Sequence, residues 1–469
     1  MKNIGLLSHF SLYKKFRNGR LLKVAESNLP FFLYAINPWF TYAKAAAHGV
    51  LSHTDKAHKF AHLLKTTFPL PFLKFRLAKY LGRTQPELVR ELLGPPSPRN
   101  HLRMAFELVG GIPSIDLTQP IFNQPNTVFQ TLWDNRKALT AQDRVSSVNA
   151  LLKITGGSSI QWQADSPIQL AFKLPLSKLQ LETRQGPLVT IFVTAYNVSS
   201  LVRQSLQSLL NQTHRHLQIL VANDASTDDT LAHLQSLATQ DSRITLFNLP
   251  QNIGTYAAKS LMLLFAKGQY LVCHDADDLA APNFIERKLQ VFTKHPSKVA
   301  VISNWFRVDE ELRIFPGAVR RFWPLLSINH SSLMLRTDAF KALGGWDVPR
   351  VAADTELFER IRLVYGKRAV VHLPEPLTIG SMRTDSLMND PVVGAIQAQA
   401  FRSRVEYREA WFDWHQACQK QRAKPVMPSA LSAMRPFLVP ETFRVPPSAI
   451  ARCWQAMLEQ QAMKTPPRV

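Results

Sequence analysis

The feature that most constrains this fold is an alternation of short apolar runs and helical segments across residues 187–273. The run at 188–193 is apolar and rich in β-branched residues, which is typical of a buried strand. Amphipathic segments separate it from three further predicted strands at 216–222, 244–249 and 269–273. Strand–helix alternation of this kind predicts an α/β fold, a parallel sheet covered by helices.

Polar side chains follow each of these predicted strands. The carboxyl ends of parallel strands meet at one edge of a sheet, and ligands bind at that edge. We therefore expect these side chains to form a site. They are Thr194, Ala195, Tyr196 and Asn197 after the first strand, Asp224 after the second, Asn252 and Gly254 after the third, and Asp275, Asp277 and Asp278 after the fourth.

The fourth strand runs directly into an acidic run, His274-Asp275-Ala276-Asp277-Asp278. Three neighbouring carboxylates repel one another unless a positive group joins them. A divalent cation such as Mg²⁺ or Mn²⁺ prefers such oxygen ligands and keeps positions open for phosphate oxygens. A diphosphate held in this way becomes a better leaving group. The alternative is a solvated acidic turn, and in either case Asp278 is expected to cap the next helix.

The chain is strongly basic, with a formal net charge of +22. Residues 1–100 contribute 16 Lys and Arg against 4 Asp and Glu, and the basic stretch at 14–23 is interleaved with Leu and Phe. Nucleic acid, an anionic membrane surface or phosphorylated substrates would all fit this charge. The basic stretch suggests a membrane surface, and the alternative is a solvated helix face.

The 3 cysteines are far apart, which favours a reducing cytosol. No apolar run reaches the roughly 18 residues that a membrane span needs. We therefore expect neither a signal peptide nor a transmembrane helix. The predicted location is cytoplasmic, with peripheral contact to the inner face of a membrane.

Breaks in the sequence pattern predict four regions. They are a basic α-helical domain at 1–93, a linker and small mixed region at 94–185, an α/β domain at 186–390, and a basic, helical or irregular tail at 391–469. The second region contains a predicted helix at 141–154, with Thr140 as its N-cap and Gly156 just beyond its end.

The ordered series VTIFVTAYN, VANDASTDDT, NIGTYAAKS and QYLVCHDADD resembles the family 2 glycosyltransferases. The resemblance extends from residue 187 to about 390 and is specific as a series, although each motif alone is weak. It implies the GT-A fold, a Rossmann-like, mostly parallel sheet with helices on both faces. It also implies inverting transfer from a nucleotide-diphosphate sugar to a glycan or lipid-linked acceptor, with Mn²⁺ or Mg²⁺, in synthesis of a cell-surface polysaccharide.

The resemblance implies roles for the donor-side residues. Residues 194–197 would line the nucleotide base pocket, and Asp224 would hydrogen-bond the base. Asn252 and Gly254 would frame the donor pocket. Lys259, which lies where the family often has Arg, would face the base or the phosphates. Asp275 would approach the sugar or ribose and the metal, and Asp277 would be the main metal ligand.

Two departures from the family pattern lie beside Asp224. Asn223 replaces an acid that the family often has, which weakens any role for that position. Ala225 replaces a glycine, and we therefore expect an ordinary backbone conformation there.

The acceptor half follows, with a Gly344-Gly345-Trp346-Asp347 turn and an acidic helix start at 353–356. Inverting transfer needs one carboxylate to take the acceptor proton, and the resemblance assigns that role to Asp354, with Glu356 as runner-up. Trp346 is predicted to stack on an acceptor sugar or to pack in the core. His330 is predicted to contact the acceptor or the donor. Arg383 lies where the family often has a histidine, and is predicted to contact the diphosphate, which leaves the third metal ligand open.

Other functional classes fit the residues less well. A phosphatase-like hydrolase would carry its Asp-x-Asp on the first strand, and Asn252-Ile253-Gly254 lacks the glycines of a dinucleotide site. No nucleic-acid-binding module is recognisable, so no nucleic-acid partner is expected. A non-catalytic relative that binds carbohydrate or nucleotide sugar remains the alternative, and Asp277 and Asp354 favour the enzyme.

Overall fold

The computed structural model describes residues 138–162, 170–172, 186–315, 326–387, 389–394 and 398–464, together with isolated positions before residue 138. The predicted N-terminal helical domain and its basic stretch at 14–23 lie outside these described residues. The chain divides into two compact units. The larger unit comprises Leu139–Leu312, Ser327–Ser381 and Ala410–Val469, and the smaller comprises Met1–Ala138, Arg313–Leu326 and Met382–Glu409.

Strands and helices alternate along the described residues of both units. The strands are β1 (Ile160–Trp162), β2 (Leu170–Phe172), β3 (Val189–Ala195), β4 (Leu217–Asn223), β5 (Ile244–Asn248), β6 (Tyr270–Asp275), β7 (Leu279–Ala280), β8 (Ala300–Val308), β9 (Ile314–Phe315), β10 (Ser327–Ile328), β11 (Met334–Arg336) and β12 (Val370–Ser381). The helices are α1 (Ala141–Thr155), α2 (Ser199–Leu210), α3 (Thr230–Gln240), α4 (Thr255–Met262), α5 (Phe284–Lys294), α6 (Thr337–Ala342), α7 (Ala353–Tyr365), α8 (Ala398–Lys420) and α9 (Pro447–Lys464).

The helix α1 confirms the predicted capping. The Thr140 side chain accepts a hydrogen bond from the Asp143 backbone N–H, and Gly156 closes the helix in the left-handed conformation with φ +77°. A short antiparallel pair, β1 and β2, follows this helix.

The central sheet has the strand order β5-β4-β3-β6-β11-β8-β12-β7. The four strands predicted from the alternation, β3 to β6, are parallel to one another. Beyond β6 the sheet becomes mixed, because β11 runs antiparallel to both β6 and β8, and β12 runs parallel to β8. This mostly parallel sheet confirms the GT-A-like α/β class.

Helices cover both faces of the sheet, as predicted. On one face α2, α3 and α5 pack against alternate β3 side chains such as Ile191 and Val193. On the other face α4, α7 and α9 pack against Phe192 and its neighbours. Both layers of side chains are removed from water, and this burial stabilises the sheet. No helix within the described ranges has the length and apolar character to span a bilayer.

The C-terminal segment differs from the separate tail that the sequence suggested. In α9, Ile450, Cys453 and Met457 are at most 1% exposed and belong to the same core as β4 and α7. The Gln460 side chain accepts from the Asn248 N–H at 2.8 Å and donates to the Asn248 carbonyl at 2.7 Å. Residues 410–464 are therefore part of the α/β unit, and α9 covers its β5 end.

Candidate active site

The candidate site is at the carboxyl edge of the parallel strands. Thr194 is paired in register with Asp275, and Ala195 with Asn223, so the ends of three strands lie side by side. The Thr194 hydroxyl is 2.6 Å from the hydroxyl of Thr255, the first residue of α4. The residues that the alternation placed at this edge are therefore brought together.

Asp224 organises the loop before α4. Its two carboxylate oxygens accept the backbone N–H groups of Ile253 and Gly254, each at 2.8 Å. Burial raises the pKa of Asp224 to about 6, and the two N–H donors and Arg350 only partly offset this effect. The Asn252 side chain donates to the Asp224 carbonyl at 3.2 Å. The base contact implied for Asp224 stays a prediction, because in this structure its oxygens hold the loop.

Two residues near Asp224 have left-handed backbones. Ala225 has φ +61°, so the ordinary conformation expected from the loss of glycine is wrong. Asn197 has φ +48°, and its side-chain oxygen accepts from the Thr227 N–H at 2.8 Å. A left-handed backbone is costly for alanine. The turn is therefore imposed by its surroundings, and Tyr196 beside it remains 48% exposed.

Lys259 is the cation of the donor side. It is 2% exposed, and its Nζ is 3.4 Å from Asp275 Oδ1. Burial opposes the charge on Asp275, but Lys259 and a hydrogen bond from Ser331 outweigh it and hold the pKa of this carboxyl below its usual range. Asp275 is therefore a charged group at the site.

The rest of the acidic run is anchored to the end of β12. The Ser381 hydroxyl donates to Asp277 Oδ2 at 3.0 Å, and its backbone N–H donates to Asp278 Oδ1 at 3.2 Å. Burial and then the charges of Asp277 and Asp275 raise the pKa of Asp278 well above its usual range. The predicted helix cap at Asp278 is wrong, because β7 follows it and Asn283 is the N-cap of α5.

These carboxylates fit a cation that is shared with a ligand. Within the described part of the chain, no three acidic, His or Cys side chains converge into a metal cage. Magnesium usually needs only one or two protein carboxylates when phosphate oxygens complete its shell. Asp277 and Asp275, which are both partly exposed, offer that reduced set.

A small cavity joins the donor side to the acceptor side. Four residues that the sequence placed in different motifs face it together. These are Lys259, His330, Trp346 and Asp354, and the remaining lining residues are Tyr256, Cys273, Ser331, Leu333, Leu335 and Leu357.

Asp354 lies in the first turn of α7, where its Oδ1 accepts the Thr355 N–H at 2.8 Å. The preceding Ala352 has φ +76°, so the chain turns sharply into the helix. Asp354 is only partly buried and faces the cavity, which leaves it accessible to a ligand there. A carboxylate in this position can accept a proton.

The aromatic residues around the cavity have different surroundings. Trp346 is 5% exposed, with its ring edge-on to Phe192 at 5.6 Å and to Phe340 at 4.4 Å. It is therefore mainly a core residue that also lines the cavity. His330 packs edge-on against Phe358 at 4.9 Å, and burial lowers its pKa.

Most of the predicted site residues do not line this cavity, and for Glu356 and Arg383 the structure shows other partners. Glu356 is 0% exposed and bonded to Arg360 and His415, so its predicted acceptor contact is wrong. Arg383 belongs to the smaller unit, where it pairs with Asp385 at 3.2 Å. Its diphosphate contact stays a prediction.

Tyr256 is a site residue that the sequence reasoning missed. It precedes Lys259 by three positions on α4, so both side chains share one helix face. Burial raises the pKa of Tyr256 well above its usual range, and the charges of Asp354 and Asp275 add to this effect. The helical spacing from Lys259 was the signal that could have identified it.

Part of the chain is similar to known glycosyltransferases. Residues 190–344 match the model described as "Glycosyl transferase family 2". An uncharacterized glycosyltransferase of Haemophilus influenzae is 38% identical over 125 residues, which are 27% of this chain and 38% of that protein. A chondroitin synthase of Pasteurella multocida is 35% identical over 141 residues, 30% of this chain and 14% of that protein. The chain thus covers well under half the length of either relative.

A solved structure of S. aureus TarS 1-349 with UDP-GlcNAc is similar at 16% identity and TM-score 0.35, over 42% of this chain and 59% of that one. A score this low carries no conclusion about the present chain.

Proposed function

We propose that this chain, whose residues 190–344 match the model of glycosyl transferase family 2, transfers a sugar from a nucleotide-diphosphate sugar to an acceptor hydroxyl, with inversion. The observation that carries the proposal is the shared cavity. It contains Lys259 from the donor side and Asp354 from the acceptor side. A transferase of this class needs a cation on one side of the anomeric carbon and a base on the other.

Asp354 serves as the general base. The acceptor oxygen attacks the anomeric carbon, and its proton passes to the Asp354 carboxylate as the new bond forms. The bond between that carbon and the diphosphate breaks, and its electron pair leaves with the diphosphate. The two processes occur on opposite faces of the sugar, which accounts for inversion.

The donor side holds the leaving group. Asp277 and Asp275 would bind Mg²⁺ or Mn²⁺, which neutralises the charge that develops on the diphosphate. Lys259 contributes a fixed positive charge beside Asp275. Residues 194–197, Asn252 and Gly254 would border the nucleoside. Asp224 keeps the last two in position, because its carbonyl accepts from the Asn252 side chain and its carboxylate accepts from the Gly254 N–H.

The acceptor is a glycan or a lipid-linked sugar in the synthesis of a cell-surface polysaccharide. The support is the similarity to proteins named chondroitin synthase and hyaluronan synthase, each 35% identical over 141 residues. Both are similar over a small share of their length, so the shared segment supports the chemistry more directly than the product.

A donor screen tests the proposal. The full chain is incubated with nucleotide-diphosphate sugars, oligosaccharide and lipid-linked acceptors and Mn²⁺, with and without a chelator, and released nucleoside diphosphate is measured. We expect metal-dependent release. Asp277→Ala should abolish it, and Asp354→Asn should lower it by about 10²- to 10⁴-fold, which is the usual contribution of a general base.

Asp338 provides a matched control. It is also a first-turn helix acid whose Oδ1 accepts the next N–H, at 2.7 Å, but it is exposed and does not line the cavity. Asp338→Asn should keep full activity. Full activity in Asp354→Asn would refute the base assignment. Donor binding without turnover by the wild type would identify a non-catalytic, nucleotide-sugar-binding relative instead.

A further inference from the structure

The end of α8 and the segment that connects it to α9 combine exposed apolar side chains with positive charge. Residues 414–440 contain no Asp or Glu and carry Lys420, Arg422, Lys424 and Arg435. The first three of these cations are exposed. Segments with this composition are attracted to anionic surfaces.

The middle of this segment, residues 426–438, is here called the apolar loop. Some of its apolar side chains are buried, and others are exposed to solvent. Met427 is 2% exposed and Ala430 is 9% exposed, whereas Met434 and Leu438 are each 79% exposed. Val426 and Leu431 are also exposed, at 48% and 41%. Four large apolar side chains within thirteen residues thus project into solvent.

The apolar loop is held in place from beneath. The Arg435 guanidinium donates to the carbonyls of Pro428 and Ala430, each at 3.3 Å, and lies 3.7 Å from Asp347. The ring of Phe437 packs against Trp414 at 5.4 Å. The outward side chains are therefore presented by an ordered backbone rather than by a free tail.

The apolar loop also contacts the acceptor-side turn. The Met427 N–H donates to the Leu343 carbonyl at 2.9 Å. A side chain on Gly344 would clash with the Met427 backbone. Trp346, two residues further on, lines the cavity. The loop therefore packs directly on the turn that leads to the acceptor half of the site.

We propose that the apolar loop binds an anionic membrane surface. Met434 and Leu438 enter the boundary between headgroups and acyl chains, while Lys420, Arg422 and Lys424 contact the headgroups. Exposed apolar tips flanked by cations match the chemistry of that boundary. The charge argues against a purely apolar partner, since such a partner would leave these cations without counter-charges.

This proposal deepens the proposed function and rests on it for one consequence. A loop that packs on the acceptor-side turn would bring a lipid-linked acceptor to the cavity from the membrane. Membrane binding does not require sugar transfer, so an experiment can refute either the membrane proposal or the proposed function without refuting the other.

Vesicle co-sedimentation of the full chain tests the proposal without any donor present. The probes are phosphatidylcholine vesicles with and without phosphatidylglycerol. We expect binding to the anionic vesicles that weakens as salt is added. Met434→Ser with Leu438→Ser should weaken this binding by about tenfold or more, because burial of one such side chain alone contributes about that factor.

Met463→Ser is the matched control, because Met463 is 84% exposed but lies near the end of α9, outside the apolar loop. It should leave vesicle binding unchanged, and melting temperatures should confirm that all variants are folded. Equal binding by the loop variant and the control would overturn the proposal. Absence of wild-type binding to anionic vesicles would also overturn it and would point to a protein partner.

Discussion

Two acidic clusters in the larger unit differ in burial and in the groups that compensate their charges. The Glu356 network consists of Glu356, Arg360 and His415. Arg360 Nε and Nη2 donate to the two Glu356 oxygens at 2.9 and 3.0 Å, and His415 Nε2 is 2.9 Å from Oε1. The acidic run has three carboxylates, of which Asp275 is paired with Lys259 and Asp278 lies within the electrostatic influence of Arg307.

This difference in pairing and exposure distinguishes side chains that maintain the fold from side chains that can bind a ligand. In the Glu356 network each charge has a partner, and Arg360 also donates to the carbonyls of Leu343 and Gly345, which fixes the turn before Trp346. In the acidic run, burial and mutual repulsion leave Asp278 with a raised pKa. A buried charge whose oxygens are bonded to neighbouring side chains maintains the fold, whereas the partly exposed Asp275 and Asp277 remain accessible to a ligand.

The largest effect on stability is expected from Glu356→Gln. Removal of this charge leaves Arg360 buried without its counter-ion, and breaking such a pair costs about 3–5 kcal/mol. Urea unfolding would measure the loss. Glu359→Gln is the control on the same helix, since Glu359 is 40% exposed and pairs with Arg362 at 2.8 Å. Its loss should stay below about 1 kcal/mol. Equal losses of stability in the two variants would show that burial of the ion pair does not determine its contribution.

A slightly smaller loss is expected from Gly344→Ala, in the turn that Arg360 holds. Gly344 has φ +81°, and an added Cβ would clash with the Met427 backbone. Left-handed strain and overpacking together predict a loss of roughly 3–4 kcal/mol. Gly366→Ala is the control, because Gly366 has φ +85° but open space around its Cβ position. If urea unfolding gave the same loss of stability for both variants, the effect would come from the positive φ alone and not from the clash.

Asp224 is an intermediate case, a buried carboxylate that is held mainly by backbone N–H groups. Its folded pKa of about 6 lies above its ordinary value of 3.8. As pH rises from 4 to 6, the unfolded chain ionises first, so the folded protein loses up to about 3 kcal/mol from this group. Asp224→Asn should lack that component. If the free energies of unfolding of the variant and the wild type changed equally between pH 4 and 6, the raised pKa would not belong to Asp224.

The smallest change in stability is expected from Asp277→Asn. It removes one of the repelling charges near Asp278 and keeps an oxygen that the Ser381 hydroxyl can approach. Without a cation, its free energy of unfolding should therefore lie within about 1 kcal/mol of wild type, or above it. Adding Mn²⁺ and a nucleoside diphosphate should raise the melting temperature of wild type only. Equal stabilisation of both proteins would remove Asp277 from the metal site.

The sequence predicted the half of the site that follows the strands. Thr194, Asp224 and Asp275 were found because the end of each β-strand fixes where the next residue lies. Tyr256 and Ser381 were missed because they reach the site from a helix and from β12; the spacing from Lys259 could have indicated Tyr256, but no local pattern marks Ser381. Glu356 was misassigned because its position two residues after Asp354 says nothing about which side of the helix is buried.

The sequence by itself determined the order of strands and helices, the parallel half of the sheet and the acidic run at its edge. These depend on local periodicity and on the fixed handedness of crossovers. Only the tertiary structure decided which carboxylates are paired. It placed Arg360 and His415 on Glu356, Ser381 on Asp277, and α9 in the core. The physical reason is that a charge is compensated by groups near it in space, and those groups come from distant parts of the chain.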